Sequence, residues 1–133
     1  MTTLHHIGLW VKDLDRSGRF YHDIMGFERQ YRYRAPAELI GGIFRRPVGC
    51  QVEVYQRDEV RLELFQPDKE MADSDGCPLS PGINHFSLAV PDKIVFCRDA
   101  QDKGAELIEV DRGDHKAYFI RDPDGILIEM KDE

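Results

Sequence analysis

An internal repeat constrains the fold of this chain more than any other feature of its sequence. The segment HIGLWVKDL near the start is echoed by HFSLAVPDK in the middle, and VRLELFQP is echoed by ILIEMKDE at the end. In each half a histidine opens an apolar run, a helix-like segment follows, and a glutamate stands in the last apolar run. Self-similarity of this kind predicts two copies of one structural module.

Each half predicts the element order βαβββ, so the fold class is α+β. Alternating apolar residues indicate strands, and aspartates before and glycines after the amphipathic segments indicate helix ends. We expect a single domain covering 1–133, with a first module at 1–66, a linker rich in Pro, Asp, Ser and Gly at 67–82, and a second module at 83–133. The predicted strands cover about residues 3–11, 27–34, 49–56, 60–66, 83–90, 105–110, 116–121 and 126–132, and the predicted helices about 13–25 and 92–104.

Four potential metal ligands stand in the apolar runs: His6, Glu63, His85 and Glu129. Side chains alternate between the two faces of a strand, and each of the four has the parity opposite to the apolar stripe of its own strand. A lone strand histidine is usually a satisfied core residue, and a lone strand glutamate is usually exposed. Four such residues at matching places in a repeat instead predict a site for a divalent first-row metal.

These features resemble one known family. The segments that carry the resemblance are HHIGLWVKDLDRSGRFYHDIMGFE, RLELFQP, GINHFSLAVPD and RDPDGILIEM. Together they resemble the vicinal oxygen chelate superfamily, the glyoxalase, bleomycin-resistance and extradiol-dioxygenase group. The resemblance implies two sheets side by side as a curled, open cup with helices outside, and metal ligands at the four positions named above. It also implies a small-molecule substrate and a homodimer.

The resemblance leaves several functions open. The first is a metal-dependent isomerase or lyase, like glyoxalase I or methylmalonyl-CoA epimerase, that moves a proton next to a carbonyl. The second is an Fe(II) extradiol-type ring-cleaving dioxygenase, in which His115 and Tyr118 could serve as the further histidine and tyrosine. A non-catalytic ligand-binding protein of the bleomycin-resistance kind and a thiol transferase of the fosfomycin type are the others. The metal, one ion per site, could be Zn, Ni, Co, Mn or Fe.

Proton transfer beside a carbonyl also needs a base. A ligand carboxylate could serve, which makes Glu129 and Glu63 candidates. Glu53 is the third candidate, because Val52 and Val54 form the aliphatic stripe of its strand, and the opposite parity predicts that Glu53 faces the cup.

The residues predicted to contact substrate come from several places along the chain. Five arginines between Gly26 and Pro47 give that stretch a local charge of +3 and could form an anion-binding rim, since guanidinium groups match carboxylates and phosphates. Within the same stretch, APAELIGGIF predicts a short helix that ends at Gly41-Gly42. The predicted substrate contacts are Trp10, Arg45, Arg46, Tyr55 and His115.

The bulk properties fit an ordinary soluble globular protein. Three widely spaced cysteines, without a CxxC motif, favour reduced thiols in the cytoplasm over a disulfide framework. No apolar run is long enough to cross a bilayer, and the N-terminus lacks the layout of a signal peptide. A net charge of −7 makes nucleic acid and anionic membranes poor partners.

Overall fold

A computed structural model describes residues 1–71 and 81–133, which form two modules of the same topology. The chain divides into two compact units, Met1–Ala72 and Asp73–Glu133. Most of the predicted linker, residues 72–80, lies outside the described residues. The predicted α+β class with two βαβββ modules is confirmed.

The first unit contains a four-stranded mixed sheet in the order β1-β4-β3-β2, with β1 parallel to β4 and the other pairs antiparallel. Its elements are β1 (Ile7–Trp10), α1 (Leu14–Arg19, continued by a π-helical turn at Phe20–Ile24), β2 (Glu28–Ala35), α2 (Ala37–Phe44), β3 (Cys50–Arg57) and β4 (Val60–Pro67).

The second unit repeats this arrangement, with the sheet order β5-β8-β7-β6 and β5 parallel to β8. Its elements are β5 (His85–Val90), α3 (Lys93–Asp102), β6 (Glu106–Asp111), β7 (Lys116–Arg121) and β8 (Leu127–Asp132). None of the helices in the described parts of the chain has the length and hydropathy needed to cross a membrane.

The helix ends follow from local hydrogen bonding. Asp13 begins α1 by accepting hydrogen bonds from the backbone N–H groups of Asp15 and Arg16. Asp92 begins α3 in the same way through the N–H of Val95. Gly26, which follows the first helix, has a φ of 79°, a left-handed conformation that glycine adopts without a steric penalty.

Each sheet has two chemically different faces. In the first unit Leu9 pairs with Leu64, while Gly8 pairs with Glu63 on the other face. We call the face with Glu63, and the corresponding face with Glu129 in the second unit, the ligand face. The opposite face is the helix face, because α1 packs on it in the first unit and α3 in the second.

The short helix α2 lies on the ligand face of the first unit. Its Ile40 packs into a buried cluster with Val52, whose register places it on the same face as Glu63. The prediction that Gly41-Gly42 ends this helix is wrong, because the helix continues to Phe44 and ends at Arg45, which has a φ of 57°. Gly41 instead allows a close approach of the chain after the helix, since a Cβ there would lie 3.2 Å from the Pro47 Cα.

Candidate metal and substrate site

The structure brings His6 and Glu63 together on the ligand face of the first unit. The His6 Nε2 and Glu63 Oε2 atoms are 2.6 Å apart, and the Glu63 side chain is only 15% exposed. The parallel pairing of β1 with β4 explains the contact, since it places Gly8 beside Glu63 and His6 just before the strand, on the same face. The other imidazole nitrogen, Nδ1, lies 2.8 Å from the Nδ1 of His5.

The second unit forms the equivalent pair from His85 and Glu129. Their Nε2 and Oε2 atoms are 3.3 Å apart. The Nδ1 of His85 lies 2.5 Å from Asn84 Oδ1, a contact that fixes the orientation of the ring and directs Nε2 towards the carboxylate. Lys131 Nζ lies 2.9 Å from Glu129 Oε1, and this hydrogen bond is the main reason that the pKa of Glu129 falls below its usual range.

The sequence interpretation missed aromatic residues that lie on the ligand face of each unit. Tyr31 and Tyr33 are in register with Val54 and Val52 and therefore lie on the ligand face. The pKa of Tyr33 is raised mainly by burial and further by the nearby Glu63 carboxylate and Tyr31. In the sequence, the signal was the alternation of tyrosine and arginine in QYRYRA, which places the two tyrosines on one face and two arginines on the other.

Phe119 lies directly beside the pair in the second unit. It is the cross-strand partner of Glu129, and its ring centroid lies 5.6 Å from that of His85.

The prediction that Glu53 faces the metal site is wrong. Glu53 pairs with Leu64, so it lies on the helix face, opposite to Glu63. Its side chain is 3% exposed and accepts hydrogen bonds from Arg29, Arg32 and Tyr55. Burial alone would raise the pKa of this carboxyl, but the hydrogen bonds from Arg32, Tyr55 and Arg29 hold it below its ordinary value.

Tyr55 also lies on the helix face, which contradicts its predicted contact with substrate. Its hydroxyl donates a hydrogen bond of 2.9 Å to Glu53, and burial together with that bond raises the pKa of Tyr55 to about 12. Helix α1 covers the hydroxyl closely, since a Cβ at Gly18 would collide with it. Glu53 and Tyr55 therefore belong to a buried network between the sheet and α1.

Two residues considered for a dioxygenase site are not beside Glu129. Tyr118 pairs with Met130 on the helix face, is 5% exposed, and lies under Lys93 of α3. His115 lies in the turn before β7, four residues from Phe119, which corresponds to about 13 Å of extended strand. The predicted contact of His115 with substrate near Glu129 is therefore not seen within the second unit.

The arginine-rich stretch divides into two groups. Arg29 and Arg32 bind Glu53, and Arg34 binds Asp68 with an Nη1–Oδ1 distance of 2.8 Å, all on the helix face. Of the five arginines expected to form an anion-binding rim, only Arg45 and Arg46 remain candidates for it. These two line a cavity of about 550 Å³ that also borders Trp10, so three predicted substrate contacts lie together.

The two histidine–glutamate pairs have donors suited to a divalent metal. An imidazole nitrogen and a carboxylate oxygen bound to one ion, each about 2.1 Å from it, stand about 3 Å apart. The observed separations of 2.6 and 3.3 Å lie on either side of this value. Within neither unit do the described residues gather three His, Cys, Asp or Glu side chains at ligand distance.

Comparisons with known proteins agree with the repeated fold. A family model described as the Glyoxalase/Bleomycin resistance protein/Dioxygenase superfamily matches residues 3–130. A probable lactoylglutathione lyase from Synechocystis is 29% identical over 131 residues, covering 96% of this chain and 92% of that protein.

Solved structures show the same fold. A glyoxalase family protein from Bacillus cereus has a TM-score of 0.77 at 20% identity, covering 98% of this chain and 93% of that chain. A fosfomycin resistance protein from Listeria monocytogenes, complexed with Mn(II) and a dihydroxypropylphosphonic acid, has a TM-score of 0.68 at 18% identity. That match covers 100% of this chain and 94% of that chain.

Proposed function

Because the chain belongs to the Glyoxalase/Bleomycin resistance protein/Dioxygenase superfamily, we propose that it is a metal-dependent isomerase or lyase. In this proposal the enzyme chelates vicinal oxygens of a small anionic substrate and transfers a proton next to a carbonyl. The observation that carries the proposal is the repeated pair: each module presents one imidazole Nε2 and one glutamate oxygen together on its ligand face.

The proposed roles divide between the pairs and their surroundings. His6 and Glu63 in the first unit, and His85 and Glu129 in the second, would serve as metal ligands, and a bound ion would supply a Lewis acid that polarises the substrate carbonyl. Glu63 or Glu129 then accepts the proton from the adjacent carbon, because both are carboxylates at the reacting centre. Phe119 contacts His85 and would shield the reacting atoms beside it from water, and Tyr31 and Tyr33 offer further aromatic surface on the ligand face of the first unit.

The extradiol-dioxygenase alternative has less support. It would use Tyr118 and His115 near the metal, but Tyr118 is buried on the helix face, and His115 lies in the turn before β7, four residues from Phe119, the cross-strand partner of Glu129. The non-catalytic alternative does not require histidine–glutamate pairs, so the presence of one in each module counts against it.

The first test is metal content. We expect the purified protein to hold about one divalent ion per chain and His6→Ala and His85→Ala each to lower that content, because each variant removes one nitrogen donor. Since a bound ion stabilises only the folded state, a chelator should also lower the melting temperature. Elemental analysis and thermal unfolding with and without chelator measure both effects.

His22 offers a matched control for this experiment. It also lies 2.8 Å from a carboxylate, that of Asp23, but has no counterpart in the repeat. His22→Ala should therefore leave the metal content unchanged. Stoichiometric metal in a protein lacking both His6 and His85 would disprove the assignment.

We also propose that the protein is a homodimer with twofold symmetry. Each four-stranded sheet has two edge strands, β1 and β2 in the first unit, and such edges invite pairing or covering. Members of the superfamily often act as dimers. Sedimentation at micromolar concentration should give twice the mass of one 15.4 kDa chain, and a mass near that of a single chain would contradict the proposal.

A further inference from the structure

The cavity beside Trp10 adjoins the histidine–glutamate pair of the first unit. Trp10 is two positions beyond Gly8, the partner of Glu63, and both lie on the ligand face. The cavity therefore begins about 7 Å along the strand from Glu63. Its volume of about 550 Å³ is within the range of small-molecule sites.

One wall of the cavity is aromatic and fixed by packing. The Trp10 ring contacts Phe44 edge-on, with centroids 5.0 Å apart, and contacts Phe65 with centroids 5.7 Å apart. Phe44 comes from α2, which Ile40 anchors to the sheet. A rigid indole of this kind offers a flat apolar surface at little entropic cost to a ligand.

The rest of the lining carries an excess of positive charge. Arg45, Arg46 and Lys69 line the cavity together with one acidic residue, Glu70. The described residues form no ion pair with Arg45 or Arg46, whereas Arg29, Arg32 and Arg34 are all bound to carboxylates. This local charge contrasts with the net charge of −7 for the whole chain.

We infer that this cavity is a specificity subsite for an anionic group, a carboxylate or a phosphate, carried on an apolar stem or ring. The apolar part lies against Trp10, and the anion lies between Arg45 and Arg46. Guanidinium groups form strong charge-assisted hydrogen bonds with both kinds of anion.

The subsite defines a substrate class, a part of the inference that rests on the proposed function. The reacting oxygens bind at the histidine–glutamate pair of the first unit, and the anionic end of the same molecule lies about 7 Å or more from Glu63. Substrates that consist only of the reacting group would leave the arginines unused. They should therefore be turned over less efficiently than those with an anionic end.

Trp10 makes the subsite measurable without metal or turnover, because it is the single tryptophan of the chain. Metal-stripped protein is titrated with phenylphosphate, phenylacetate and the neutral phenylacetamide while its fluorescence is recorded. We expect a saturable change with at least one of the two anions, and binding of phenylacetamide about tenfold weaker or worse, since it lacks the charge.

Arginine variants test which groups bind the anion. Arg46→Gln, and Arg45→Asn, which tolerates the left-handed backbone at that position, should each weaken binding of the anionic probe by about tenfold or more. Arg112→Gln is the matched control, because it removes an exposed arginine in the second unit and should leave the titration unchanged. Circular dichroism of each variant verifies that it is folded.

The inference would be overturned by equal binding of phenylacetamide and the anions, or by an Arg46→Gln titration indistinguishable from that of the parent protein. Absence of any saturable change would do the same. The titration needs no metal, so its outcome is independent of the metal content and of the proposed reaction. A positive titration together with a failed metal assay removes the proposed function but leaves the subsite.

Discussion

Glu63→Gln should slow exchange of the substrate α-hydrogen with deuterated solvent by about 10²–10⁴-fold, the usual contribution of a general base. Glutamine keeps the shape of the side chain and an oxygen donor, but it does not accept a proton at neutral pH. We therefore expect a large loss of rate with a smaller loss of metal. The measurement is deuterium incorporation into the most active of a panel of hemithioacetals and thioesters, followed by mass spectrometry.

Glu129→Gln completes this comparison. It should lower both metal content and rate, because it also disturbs the contact with Lys131. Glu59→Gln, which removes an exposed carboxylate from the turn between β3 and β4, should change neither. Full exchange in Glu63→Gln would transfer the role of base to Glu129. Oxygen consumption with catechols and Fe(II), in the absence of any α-exchange, would favour the dioxygenase alternative.

Strand parity correctly placed His6, Glu63, His85 and Glu129 on the face opposite to the apolar stripe, because their strands have one clearly apolar face. In β4, Leu62 and Leu64 alternate with Glu63, and the parallel pairing with β1 carries that alternation across the sheet. The same holds for Ile128 and Glu129 in β8. Where the apolar residues of a strand pack beneath a helix, the residues that alternate with them must lie on the opposite face of the sheet. This can be inferred without knowledge of the fold.

The same reasoning failed for Glu53 because both faces of β3 are covered. Val52 and Val54 are fully buried on the ligand face, where α2 packs against Val52, and Glu53 and Tyr55 are buried under α1. In a strand buried on both sides, the aliphatic stripe does not indicate which side faces the helix. Only the register with Glu63 separates the two faces.

A β-bulge in β2, the arginine-rich strand, is a second feature that strand parity does not predict. The register of β2 shifts between Arg29 and Tyr31, so Arg29 lies on the same face as Arg32 although the two are three residues apart. Simple alternation would place Arg29 with Tyr31 instead. The bulge allows both arginines to reach Glu53, an ion-pair network that local sequence does not reveal.

That network leads to a large expected effect on stability. Glu53→Ala should lower the free energy of unfolding by about 3 kcal/mol, because it leaves the buried Tyr55 hydroxyl without its acceptor and opens a cavity under α1. Arg29 and Arg32 are about half exposed, so water can solvate them and they add little to the loss. The melting temperature should fall by about 10 °C, measured by thermal unfolding.

The contribution of Glu53 to stability should also depend on pH. Folding lowers the pKa of Glu53 below its ordinary value of 4.5. The ionised carboxylate therefore stabilises the folded protein fully at pH values above 4.5, and this contribution is lost as the pH falls through the lower pKa of the folded state. In Glu53→Gln, stability should therefore decline less steeply below about pH 4.5 than in the parent protein.

Glu106→Ala is the control for Glu53→Ala, since it removes an exposed carboxylate bound to Arg121 and should lower the free energy of unfolding by less than about 1 kcal/mol. Unchanged stability in Glu53→Ala, accompanied by a large loss of α-exchange, would return Glu53 to the chemistry and contradict a purely structural network.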